Sequence, residues 1–138
     1  MYDTILIAAA LFDEGRTTRT MIEKAREMLN PGGRIVLVHV LDEIPKYAAA
    51  HVPRTQLTEH QRNVRDQLEA IASTVEGVKT EAVVRSGMAS AGILGTAKEK
   101  NADLIVIASH KPGLSDYFIG STAARVVRHA ETSVLVLR

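Results

Sequence analysis

Five short apolar runs are spaced along the chain, and each has the length of a β-strand. The first, second and fourth are almost continuously apolar, which is typical of strands that helices cover on both faces. The pattern therefore predicts a sheet buried between helices. The five runs are TILIAA from Thr4, RIVLVHV from Arg34, VKTEAVV from Val78, DLIVIAS from Asp103 and SVLVLR from Ser133.

Apolar residues at helical spacing lie between these runs and predict four helices. The first helix is expected to end at Asn30-Pro31-Gly32-Gly33. Because strand and helix alternate, we predict an α/β fold: an open parallel five-stranded sheet, order 3-2-1-4-5, with helices on both faces. The stretch LDEIPKYAAAHVPRT from Leu41 breaks the pattern, and we expect it to be a loop that is either mobile or covers a ligand.

Composition narrows the class of protein. The chain has 138 residues, 46% of them hydrophobic and 24% charged, which suits one domain spanning residues 1–138. A net charge of +1 predicts no nucleic-acid partner, and no apolar run is long enough for membrane insertion. Because Cys is absent, disulfides, thiol catalysis and cysteine zinc sites are excluded. The N-terminus lacks the basic flank of a signal peptide, so we expect a cytoplasmic protein.

In an open sheet of this order, a ligand binds beyond the carboxyl ends of strands one and four, where the strand order reverses. Strand one ends at Ala8-Ala9-Ala10 and strand four at Ala108-Ser109-His110. The segment SHKPGLSDYFIGST starts there and ends with Gly120-Ser121-Thr122, at the beginning of the fourth helix, where free N–H groups favour an anion. Spacing alone leaves open whether these residues bind phosphate or whether Ser121 only caps the helix.

The other polar side chains form no catalytic or metal-binding pattern. The five histidines lack metal-ligand spacing, and His39 is most simply a buried, hydrogen-bonded imidazole. Asp42 and Glu43 are either Mg²⁺ ligands beside phosphates or solvated loop carboxylates. No nucleophile elbow or Ser-His-Asp order predicts hydrolysis. A response-regulator receiver is excluded, because Ala8-Ala9-Ala10 stands where it needs an acidic cluster.

The segment ADLIVIASHKPGLSDYFIGSTAARVVRHAETSVLVLR, with YDTILIA, VLVHVLDE and SGMASAGIL, resembles the universal stress protein family over the whole chain. The loop is most similar to the F/G-type subgroup and its relatives, which include stress proteins encoded beside TRAP-type transporters. The resemblance implies a Rossmann-like (adenine nucleotide alpha hydrolase-like) fold and a homodimer through strand five. It also implies binding of ATP or AMP, with Mg²⁺ accompanying ATP, and at most slow ATP hydrolysis or autophosphorylation.

The loop departs from the nucleotide-binding motif of this family, which is Gly-x-x-Gly, nine residues, then Gly-Ser or Gly-Thr. Ala108 and Lys111 replace the first two glycines, and the interval to the third is one residue shorter. Gly120-Ser121 matches the motif. Lys111 brings a cation that could bind phosphate directly.

This chain also departs from the family at one position of the nucleoside pocket. The adenine pocket of the family uses the backbone at the end of strand two, which falls on Val40. An acidic residue at the end of strand one often completes that pocket, but this chain has Ala10 there. We expect Asp13 to replace part of the missing polar contact.

Two functions follow from these residues. One is an adenine-nucleotide-binding regulatory or stress protein, and the other is a dimeric interaction module without nucleotide, acting on a partner such as a TRAP-type transporter. Each would act on a client protein. The predicted nucleotide-binding residues are Ala8, Ala10, Val40, Ala108, Ser109, His110, Lys111, Gly120, Ser121 and Thr122.

Overall fold

The fold is taken from a computed structural model that describes residues 1–42, 46–109 and 119–138. Five strands form one parallel sheet in the order β3-β2-β1-β4-β5, which confirms the predicted order. The strands are β1 (Tyr2–Ala8), β2 (Leu29–Leu41), β3 (Lys79–Ser86), β4 (Leu104–Ala108) and β5 (Ser133–Leu137). The helices in the described parts are α1 (Arg16–Met28), α2 (Lys46–Ala49), α3 (Arg54–Ser73), α4 (Ala89–Glu99) and α5 (Ser121–His129).

Apolar residues cover the sheet on both faces. On one face, Ile5 and Ile7 of β1 pack with α1 and α3, whose buried residues include Met21 and Leu68. On the other face, Leu6 packs with α4 and α5. Successive strand residues point to opposite faces, so a continuously apolar strand is the expected sequence for a sheet covered twice.

Polar contacts join β1 and β4 at their amino ends. The carboxylate of Asp103 accepts hydrogen bonds from the backbone N–H groups of Asp3 and Thr4, both at 2.9 Å. The N–H of Asp103 donates to the carbonyl of Thr4, also at 2.9 Å. These bonds hold β1 and β4 in register, so that their carboxyl ends meet at the opposite edge of the sheet.

The start of β2 differs from the prediction. Helix α1 ends at Met28, as the Asn30–Gly33 segment indicated, but β2 begins at Leu29 rather than at Arg34. The register between β1 and β2 shifts in this region, and Gly32 has φ +79°, so the turn residues are an irregular part of the strand.

The predicted loop from Leu41 to Thr55 is wrong in part. Helix α2 lies within it, and α3 already begins at Arg54, directly after Pro53. Proline favours the start of a helix because its φ is fixed and its missing N–H is not needed there. Residues 43–45 of this stretch lie outside the described residues.

We predict that Gly92 is needed for the packing of α4 on β2. A Cβ atom at Gly92 would lie 2.6 Å from Cγ2 of Val40, whose branched side chain has little rotational freedom. We expect Gly92→Ala to have a free energy of unfolding about 1–3 kcal/mol below that of Gly95→Ala, measured by urea denaturation.

Gly95 is the matched control, because a Cβ atom there has nothing within 4 Å. Gly95→Ala should raise the free energy of unfolding by up to about 1 kcal/mol through helix propensity. Equal stabilisation by the two substitutions would contradict the proposed contact.

Candidate functional site

A cavity of about 700 Å³ lies at the carboxyl edge of the sheet. The ends of β1, β2 and β4 form its floor, and the middle of α3 and the amino ends of α4 and α5 form its walls. It lies where the strand order reverses, between β1 and β4, which is the usual ligand position in an open parallel sheet. Its volume falls within the range of about 300–1,000 Å³ that is typical of small-molecule sites.

Eight of the ten predicted site residues line this cavity. The other two, His110 and Lys111, lie outside the described residues. The eight that line it are Ala8, Ala10, Val40, Ala108, Ser109, Gly120, Ser121 and Thr122.

The end of β1 contributes space rather than polar contacts. The Thr18 hydroxyl, on α1 and fully buried, donates to the carbonyl of Ala10 at 2.7 Å and accepts from its N–H at 2.8 Å. Both polar backbone groups of Ala10 therefore already have a partner. With Ala8 and Ala108, Ala10 gives the cavity a floor of small apolar residues.

Helix α5 begins at the cavity with N–H groups available to a ligand. Gly120 is its N-cap, and no hydrogen bond from a side chain caps the helix among the described residues. The alternative in which Ser121 only caps the helix is therefore wrong, because Ser121 is the first helical residue. The N–H of Gly120 donates to the carbonyl of Ser109, whereas those of Ser121, Thr122 and Ala123 have no acceptor in the described parts of the chain.

Four polar residues of the cavity were missed by the sequence reasoning. His39 lines the cavity with its ring half-buried and is not simply a core imidazole; its Nδ1 lies 3.0 Å from the carbonyl oxygen of Ala9. The other three are His60, Asn63 and Gln67 on α3. Their spacing follows one side of the helix, next to the buried stripe of Val64 and Leu68, and this periodicity was the available signal.

Asp13 does not take the role that was expected for it. It is not among the residues that line the cavity, and its Oδ2 accepts hydrogen bonds from the N–H of Thr17 at 3.0 Å and from the hydroxyl of Thr17 at 2.6 Å. These bonds, with the hydroxyl of Thr17 as the largest cause and Arg16 nearby, lower the pKa of Asp13 below its usual 3.8. Its carboxylate therefore supports the first turn of α1.

Charged groups are scarce around the cavity. None of its described lining residues is Asp, Glu, Lys or Arg, so no carboxylate among them opposes an anion. No group of three or more His, Asp or Glu side chains in the described residues could hold a metal ion. Asp42 is exposed, and Glu43 lies outside the described residues. No helix in the described part of the chain is long and apolar enough to cross a membrane.

Fold and cavity together define a doubly wound α/β protein with a ligand-sized crevice at its switch point. The universal stress protein family matches residues 1–138, and the chain belongs to that family. It is 31% identical to Universal stress protein G of Escherichia coli O157:H7 over 145 residues, covering 100% of both chains, which agrees with the resemblance to the F/G-type subgroup.

Solved structures share the fold. Universal stress protein UspA from Lactobacillus plantarum superposes with a TM-score of 0.76 at 21% identity, covering 99% of this chain and 98% of that one. A universal stress protein in complex with cAMP superposes with a TM-score of 0.60 at 19% identity, covering 99% of this chain and 97% of that one. A universal stress protein from Archaeoglobus fulgidus in complex with dAMP superposes with a TM-score of 0.61 at 19% identity, covering 100% of this chain and 98% of that one.

We predict that Asp13 makes part of the stability depend on pH. Its pKa is lower in the folded protein than in the unfolded chain, so the ionised carboxylate stabilises the fold. This contribution is complete above the unfolded pKa and is lost as the pH falls through the folded value. The difference in unfolding free energy between wild type and Asp13→Asn should therefore be constant from about pH 7 to about pH 5 and shrink below about pH 4.

Urea denaturation followed by circular dichroism at several pH values measures this difference. Asp66→Asn is the matched control, because Asp66 is exposed on α3 and has no hydrogen-bond partner among the described residues. A difference between wild type and Asp13→Asn that persists unchanged at about pH 3 would contradict the role of the ionised carboxylate.

Proposed function

We propose that the protein binds an adenine nucleotide, ATP or AMP, in the cavity between β1 and β4, and acts as a nucleotide-dependent regulatory protein in the stress response. The observation that carries the proposal is the start of α5, where N–H groups without a described acceptor meet a cavity free of described carboxylates. Such a helix start favours phosphate through direct hydrogen bonds and through the helix dipole.

The phosphates are assigned to the α5 end of the cavity. The N–H groups of Ser121, Thr122 and Ala123 would donate to phosphate oxygens, and the hydroxyls of Ser121 and Thr122 could add further bonds. Gly120 has φ −63° and ψ 156°, which any residue can adopt, so the backbone does not require glycine there. In this proposal, the missing side chain leaves room for the phosphates. We propose that Lys111 adds a positive charge that binds the phosphates.

The nucleoside is assigned to the β2 end of the cavity. The backbone at Val40 ends β2 there, and the alanine floor leaves room for a flat ring. Within the family, related proteins of the same fold are known in complex with cAMP and dAMP, which supports an adenine ligand. We propose that any Mg²⁺ at the site is bound by the phosphates of ATP. We also propose that the protein is located in the cytoplasm, where these nucleotides are available.

We predict that the cavity binds ATP and AMP and that Gly120→Val weakens binding at least tenfold. The valine side chain would occupy the space next to the phosphate-binding N–H groups, while the φ at this position is compatible with valine. Isothermal titration calorimetry with each nucleotide at concentrations up to about millimolar, the weak end of ordinary affinities, measures the loss.

Gly95→Val is the control, because it makes the same substitution on α4, where a Cβ atom has nothing within 4 Å and no cavity residue is involved. It should bind like wild type. If wild type binds neither nucleotide, the proposal is wrong. The lack of an acidic residue in the described lining would then favour the alternative, a dimeric interaction module that acts on a client such as a transporter.

We also propose that the protein is a homodimer through β5. The two edge strands of the sheet differ in charge. At the β3 edge, Arg85 Nη2 lies 2.5 Å from Glu99 Oε2, and Glu81 Oε1 lies 2.8 Å from Lys100 Nζ. The β5 sequence, SVLVL, has no charged residue, and an uncharged apolar edge pairs readily with another strand. An antiparallel, two-fold contact would satisfy both β5 edges and close the assembly.

The register shows which backbone groups would form that contact. The N–H of Ser109 donates to the carbonyl of Leu137 at 2.8 Å, so the backbone polar groups of Leu137 face β4. Because these groups alternate along a strand, those of Leu135 face β4 as well, and those of Val134 and Val136 face outward.

We predict that Val136→Pro converts a dimer into a monomer, because proline removes an outward N–H and leaves the ladder to β4 intact. Size-exclusion chromatography with light scattering at micromolar concentration measures the mass. Val84→Pro is the matched control: the N–H of Gly87 donates to the carbonyl of Leu41 at 2.9 Å, so by the same alternation the N–H of Val84 faces outward from β3. A monomeric wild type, or dissociation by Val84→Pro alone, would contradict pairing through β5.

A further inference from the structure

The tautomer of His39 is determined by one hydrogen bond. Its Nδ1 lies 3.0 Å from the backbone carbonyl oxygen of Ala9. A carbonyl oxygen can only accept, so Nδ1 carries the hydrogen of the neutral ring, and Nε2 is left with a lone pair. Among the described residues, Nε2 has no hydrogen-bond partner. The imidazole therefore presents a fixed hydrogen-bond acceptor.

The strand places this acceptor in the cavity. Alternation along β2 puts His39 on the same side of the sheet as Ile35 and Leu37, which pack against α1 and α3. The ring lines the cavity, as do His60, Asn63 and Gln67 of α3. His39 is thus half-buried on the floor of the cavity, below the exposed polar side of α3.

The position also lies at the correct distance from the phosphate end for a nucleotide base. In the sheet, β2 is separated from β4 by β1 alone, so the two strands lie roughly 10 Å apart. Helix α5 follows β4 in the chain, and the proposed phosphate groups lie at its start. A nucleotide that extends along the carboxyl edge of the sheet would bring its base to the end of β2, next to His39.

From this geometry we infer that His39 selects a 6-aminopurine over a 6-oxopurine, by accepting a hydrogen bond at Nε2 from the exocyclic amino group. This inference rests on the proposed nucleotide site and adds the chemistry that distinguishes one base from another. Adenine and hypoxanthine have nearly the same shape, but adenine has an amino donor where hypoxanthine has a carbonyl acceptor. An acceptor that faces a carbonyl makes no hydrogen bond and leaves two lone pairs opposed.

The test compares AMP with IMP, its 6-oxo counterpart, on the intact protein by isothermal titration calorimetry. Wild type should bind AMP at least tenfold more tightly than IMP, as expected for one hydrogen bond gained and one unpaired acceptor avoided. His39→Asn should bind the two with nearly equal affinity. Its amide nitrogen occupies the place of Nδ1 and can still donate to Ala9, but the group corresponding to Nε2 is absent.

His129→Asn is the matched control, because His129 is exposed at the end of α5 and does not line the cavity. It should keep the preference of wild type. If wild type binds AMP and IMP equally, or if His39→Asn keeps the preference, the inference is overturned while the proposed function stands. If neither nucleotide binds, the proposed function fails, and the inference fails with it.

A measurement without nucleotide tests the tautomer alone. Nitrogen-15 NMR of the neutral imidazole should show Nδ1 protonated and Nε2 unprotonated for His39. The opposite assignment would overturn the inference whatever the titrations show, because Nε2 would then be a donor.

Discussion

The structure depends on the burial of its three inner strands, β2, β1 and β4, from both sides. Ile5, Leu6 and Ile7 of β1 have no exposed surface, and Leu104 to Ile107 of β4 are nearly as buried. Each such side chain stabilises the folded state by about 1.5–3 kcal/mol, but only if a helix covers the face of the sheet to which it points. Helices must therefore lie on both sides, and the chain must cross over the sheet after every strand. The crossovers from β1 and β4 leave in opposite directions, and the cavity is the space that they leave at the carboxyl edge.

Within that space, the backbone contributes more of the chemistry than the side chains do. Small apolar residues form the floor, and the polar atoms offered to a ligand are N–H groups of α5 and a few uncharged side chains of the described lining. The hydroxyl of Thr18 satisfies the backbone of Ala10 from below, and this leaves the end of β1 without polar groups that need a partner. A site of this kind favours a ligand that carries its own charge.

Much of the fold and part of the site could be predicted from the sequence. Continuous apolar runs determine the sheet, and strand ends in a parallel sheet share one edge, so Ala8, Ala108 and Gly120 could be placed together before any coordinates were known. The periodicity of α3 indicated which residues flank its buried stripe, but it did not indicate that this flank faces the cavity, since that depends on how the helix packs against the sheet. His39 is a different case: alternation along β2 indicated its face, but burial of the strand suggested a core residue. Asp13 was assigned wrongly. A carboxylate near the start of a helix can accept hydrogen bonds either from a ligand or from the helix, and Asp13 accepts them from Thr17 of α1.

The bond between the N–H of Gly120 and the carbonyl of Ser109 has a consequence for the chain that it encloses. It ties together the two ends of the segment 110–118, so that β4 and the start of α5 stay at a constant separation whatever lies between them. Closing a segment that is one residue longer or shorter changes the chain entropy by only about 0.1 kcal/mol. We therefore expect changes in the length or the residues of this segment to leave the frame of the cavity in place.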